Sequence, residues 1–148
     1  VKTTATLPQE IQDMIYDMVY SRIMSEYNKK LQEQHALQTR VTKLENEIDD
    51  MQEEASDLYV QYTRELNSLK EKCADMGMLH SGYYTEQVRR LESQYKANTE
   101  IISEKIDELE AELSVVANAA RKPVKKPSEE YIWEKYLVEL EEYQKKIQ

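Results

Sequence analysis

Residues 73–84 read CADMGMLHSGYY and hold Gly77 and Gly82, both glycines of a 148-residue chain. The apolar pattern on either side shows why they sit together. Upstream runs a seam of Leu37, Val41, Leu44, Ile48, Met51, Ala55, Leu58, Tyr62, Leu66, Leu69 and Cys73, with steps of 4, 3, 4, 3, 4, 3, 4, 4, 3 and 4. This is a heptad repeat with one stutter, the doubled four at Leu58, Tyr62 and Leu66. Downstream runs a second seam of Tyr84, Val88, Leu91, Tyr95, Thr99, Ile102, Ile106, Leu109, Leu113, Val116 and Ala120. Its steps are the same series reversed, stutter included, and each residue with its mirror sums to 157.

A plain heptad would match its mirror in registers seven residues apart, so the shared stutter selects this one. It pairs Leu44 with Leu113, Tyr62 with Tyr95 and Cys73 with Tyr84, around a centre between Met78 and Leu79. Thr99, opposite Leu58, is its one clearly polar member. The pattern predicts a long antiparallel coiled-coil hairpin that reverses within 73–84. Glycine suits both the exit from one helix and the entry to the next. Glu54 and Lys105 flank the seam at facing positions and form an expected surface ion pair, worth a few tenths of a kcal/mol.

Working outward, Thr6 is the expected N-cap of the first helix, with Gln9 completing a capping box and Pro8 in the first turn. No Pro or Gly follows until Gly77. At 1.5 Å per residue such a helix is on the order of 100 Å long. The expected organisation is a lead and cap at 1–8, helix 1 at 9–76, a turn at 77–82, helix 2 at 83–120, a basic Pro-containing linker at 121–127 and helix 3 at 128–148. Within helix 1, residues 9–36 form a base and 37–76 the arm. Ser128 is the expected cap of helix 3, with Glu129 and Glu130 favourable in its first turn.

The base differs in pattern from the arm. Ile11, Met14, Ile15, Met18 and Val19 make a wide apolar stripe, and helix 3 carries a second in Trp133, Tyr136, Leu137 and Leu140. Two wide stripes in one pair leave apolar surface open, so these nine residues are the expected partner-binding surface, completed as a helical bundle by an identical or different chain. Trp and Tyr are its natural anchors. Met78 and Leu79, at the reversal, are candidates for a docking tip.

Composition narrows the function classes. One-third of the residues are charged, the net charge is −9 and the pI is near 4.9. Such a balance argues against binding nucleic acid or an anionic membrane over the whole surface. Arg121, Lys122, Lys125 and Lys126 are the exception, a candidate contact for nucleic acid or a membrane surface, although four charges reach only a few phosphates. One cysteine excludes an internal disulfide and fits an intracellular setting, cytoplasmic or nuclear. No apolar run approaches the ~20 residues of a membrane span, and VKTTATLP has no signal-like apolar stretch. A first residue of Val fits an excised or processed chain.

No cofactor, metal or catalytic residue is expected. His35 and His80 lie 45 positions apart with no ligand spacing around them. There is no Gly-rich phosphate loop, and Cys73 belongs to the inward seam. The stretch LPQEIQDMIYDMVY, residues 7–20, resembles the opening of an F-box, a three-helix module that docks a ubiquitin-ligase adaptor. The likeness covers about 14 residues, and the Pro and turn punctuation of that module does not follow. The expectation is a non-catalytic coiled-coil scaffold subunit that joins protein partners as a homo- or hetero-oligomer. The alternatives are a membrane-surface helical rod and a nucleic-acid contact through the linker.

Overall fold

The computed structural model describes residues 7–147, which form three helices, their two connections and the two residues before the first helix. Helix α1 spans Gln9–Asp75, α2 Gly82–Ala120 and α3 Glu129–Ile147. The chain divides into two units, residues 38–119 and residues 1–37 with 120–148. Helix α1 packs against α2 in the first and against α3 in the second.

In the unit 38–119, every seam position is buried or half-buried, and most of the remaining positions are open to solvent. Leu44 and Cys73 are fully enclosed, and Ile48 and Ile102 nearly so. Two contacts fix the direction, and the first of them also the register. The rings of Tyr62 and Tyr95 stack with centroids 4.5 Å apart and planes 12° from parallel, as the mirror pairing requires. Farther along, the Arg40 guanidinium donates to the Glu112 carboxylate at 2.5 Å. Contacts that climb α1 while descending α2 mean that the two helices run in opposite directions. Thr99 is tolerated in the seam because its hydroxyl donates to the Lys96 carbonyl at 3.0 Å, which satisfies the polar group locally.

Between α1 and α2 the ion pair formed is Arg40–Glu112, not the expected Glu54–Lys105. Both partners of an exposed pair keep their hydration when they stay apart, so surface ion pairing follows register only loosely. The register also brings two acidic runs side by side. Residues 45–57 hold seven acids and no base, and residues 100–112 hold six acids with Lys105. The mirror relation places one run directly against the other. This stretch therefore carries more negative charge than the net −9 of the whole chain.

At the reversal, the two glycines do different jobs. Gly77 has φ +67°, the left-handed conformation that L side chains resist. Its N–H donates to the Ala74 carbonyl at 3.0 Å, and the Met78 N–H donates to the Cys73 carbonyl at 2.7 Å. These paired bonds are a Schellman stop for α1. Gly82 has no positive φ and is the first residue of α2. Re-entry rests on Ser81, whose Oγ accepts from the Tyr84 N–H at 3.3 Å and donates to the Met78 carbonyl at 2.5 Å. The expectation that glycine's backbone freedom serves both exit and entry therefore holds at the exit, while at the entry a serine cap starts α2. A Cβ at either glycine meets nothing within 4 Å, so only conformation distinguishes them. Gly77→Ala should cost about 1 kcal/mol, whereas Gly82→Ala should add about 0.5 kcal/mol by restricting the unfolded chain. Urea unfolding of the two variants checks this, and equal losses at both sites would refute it.

The other unit is built on Leu7, Ile15, Val19 and Tyr136, with Ile11, Tyr16, Ile23 and Leu140 packed around them. The Tyr16 and Tyr136 rings meet edge to face at 5.4 Å. Arg22 reaches Glu139 at 3.4 Å. Helix α1 begins one residue after Pro8, whose carbonyl accepts from Ile11 and Gln12. The Gln9 amide is bonded to Asp13 at 2.9 Å, and the expected Thr6 cap lies outside the described residues. Ser128 caps α3 as its sequence suggests, accepting from the Tyr131 N–H at 3.1 Å. The linker is anchored where it leaves Ala120, because the Gln34 side-chain amide donates to the Lys122 carbonyl at 2.7 Å.

Candidate partner-binding surface

The nine apolar residues of the base fall into distinct environments. Ile15, Val19 and Tyr136 are buried in the chain's own core, and Ile11 and Leu140 pack against it. Met14, Met18, Trp133 and Leu137 stay open, at 69%, 51%, 54% and 44% exposure. At 100° per residue, Met14 and Met18 lie on one flank of the inward Ile15–Val19 line of α1, and Tyr16 and Tyr20 on the other. Trp133 packs on Tyr136 at 5.1 Å and faces the same groove as Tyr16. The open residues therefore form two flanks rather than one continuous patch: Met14 with Met18, and Trp133 with Leu137 beside Tyr16.

The second flank contains a groove lined by Tyr16, Glu129, Glu130, Trp133 and Glu134. Apolar periodicity draws attention to Trp133 but passes over its acidic neighbours. Their spacing carries the missing signal. Glu129 and Glu130 lie four and three residues before Trp133, and Glu134 lies four after Glu130, so these side chains share one strip of α3. Tyr16 was missed because it sits beside the line of Ile15 and Val19 and reads as a polar-edge residue. Tyr131 and Val138 are also exposed on α3.

Elsewhere, Met78 and Leu79 are half-buried against the turn, while Met76 and Tyr83 next to them are open. The side chains of Arg121, Lys122, Lys125 and Lys126 are exposed, with Val124 and Pro127 half-buried between and after them. A cleft of about 60 Å³ flanks the Tyr62–Tyr95 stack, lined in part by Gln61, Glu65, Gln94 and Asn98. That is room for a few waters and not for a substrate. Desolvation, then the nearby Glu92 carboxylate, raises the Tyr62 hydroxyl above its ordinary pKa. Cys73 is buried. No group of three or more His, Cys, Asp or Glu side chains among the described residues is placed to hold a metal ion.

No described helix is long and apolar enough to cross a membrane. The stretch 7–20 that resembles an F-box opening belongs to a helix that continues without a break to Asp75. The chain matches no family model, and searches against curated proteins and against solved structures return no match.

Proposed function

We propose that this protein is a non-catalytic assembly subunit, an antiparallel coiled-coil hairpin joined to a helical base that binds a partner chain. The observation that carries this reading is the open apolar surface of the base. Met14, Met18, Trp133 and Leu137 remain exposed after α3 has packed on α1. A chain with so few large apolar side chains enclosed gains by covering these, at roughly 25 cal/mol per Å² removed from water. Trp and Met are also the side chains best suited to anchor such a contact. The coiled-coil part of the reading is supported by the heptad seam, its stacked tyrosines at the stutter and the local closure of the turn.

Sedimentation equilibrium tests the base. The parent chain should associate, and either pair of changes, Met14→Ser with Met18→Ser or Trp133→Ser with Leu137→Ser, should weaken association by about 2 kcal/mol, roughly 30-fold in Kd. Far-UV ellipticity should stay at the parent value, since these side chains lie outside the core. Unchanged association in both pairs would count against the surface assigned here. For the hairpin, cysteines placed at 44 and 113 in a Cys73→Ala chain should form an intrachain crosslink. Linkage of position 44 only to its own copy in another chain would refute it.

A further inference from the structure

We propose that the groove of Tyr16, Trp133, Glu129, Glu130 and Glu134 receives the basic linker of a second copy of this chain. The proposal rests on the reading that the base binds a partner chain, and it names that partner. Two aromatic side chains and three carboxylates around one groove suit a Lys or Arg side chain, which can lie against a ring while its charge meets an acid. A neutral or acidic segment would gain only the aromatic contact and leave the carboxylates opposed or unanswered.

The matching cations are on the same chain. Arg121, Lys122, Lys125 and Lys126 are exposed, and the ion pairs among the described residues use none of them. Pro123 and Pro127 favour an extended backbone between them, which sends successive side chains to opposite sides. Gln34 fixes the start of the segment through the Lys122 carbonyl, so part of its ordering cost is already met. Linker and groove follow each other within residues 121–134, positive then negative. A surface carrying both halves is self-complementary, and a two-fold pairing satisfies each groove with the other copy's linker in a closed dimer. The doubled acidic run at 45–57 and 100–112 also attracts cations. The aromatic walls distinguish the groove, and Trp133, the sole tryptophan, reports on it directly.

Two charge-reversed chains test the pairing: Lys125→Glu with Lys126→Glu, and Glu130→Lys with Glu134→Lys. Sedimentation velocity at about 50 mM and about 500 mM salt should show the parent as a dimer whose Kd rises at least ~10-fold at the higher salt. Each variant alone opposes like charges and should be monomeric. Mixed in equal amounts, the two have complementary linkers and grooves in both directions, and they should form a heterodimer with blue-shifted Trp133 emission. Association on mixing also shows that both variants are folded. A monomeric parent at low salt, no association on mixing, or association without a change in Trp133 emission would overturn the proposal. A dimer indifferent to salt and to both charge reversals would overturn it as well, while leaving the apolar association of the base intact.

Discussion

Leu44→Ala should lower the unfolding free energy by about 3 kcal/mol. Leu44 has no exposed surface, and the register sets it against Leu113, four residues from Arg40 and next to Glu112. Removing its branched methyls gives up their transfer free energy and leaves a void between two stiff helices that cannot close in without disturbing the seam. Urea unfolding followed by far-UV ellipticity measures the loss. Val115→Ala is the matched control, because Val115 is 71% exposed on α2 and should change stability by less than about 0.5 kcal/mol. A loss at Leu44 no larger than that at Val115 would mean that the seam is not what holds α1 to α2.

Tyr136→Ala should have an effect of the same size, about 3 kcal/mol, confined to the unit that contains α3. Tyr136 is 6% exposed and meets both Tyr16 and Trp133. Its ring joins the core of α1 to α3, and no other aromatic side chain in that core makes both contacts. Trp133 emission should shift red in the variant as water reaches the indole, at urea concentrations where most of the helical ellipticity survives. The separation of the two signals is the informative result. Coincident transitions in the variant would show that the units unfold as one and that the base has no separate stability to lose.

The arm was legible because its information is periodic. A heptad pattern uses two positions in seven, so an apolar residue there has one reading, and the stutter supplies a marker that repetition alone lacks. The rings of Tyr62 and Tyr95 stack at that marker. The base was legible only in outline. A stripe as wide as Ile11 to Val19 covers more of the helix than one partner can, and which part is buried depends on where α3 lies, a matter settled by contacts more than a hundred residues apart. Hence Ile15 and Val19 went inside and Met14 and Met18 did not. Glu54 and Lys105 illustrate a different limit, since a pairing worth a few tenths of a kcal/mol is too weak to be dictated by register. Gly82 shows a third. Composition marks a glycine as unusual, but only the backbone angle reveals whether it is needed.

The side-by-side acidic runs of the arm have a further consequence. Folding brings the carboxylates of 45–57 and 100–112 closer than they lie in the open chain, so the native arm gathers a denser atmosphere of sodium or potassium ions than the unfolded one. Uptake of ions on folding makes salt a stabilising ligand of the native state. In the Lys125→Glu, Lys126→Glu chain, where dimerisation adds nothing to stability, melting temperature should climb as sodium chloride is raised from about 20 mM to about 300 mM, over which the screening length falls severalfold. Lysine at Asp49 and Glu108, one in each run, should flatten that climb.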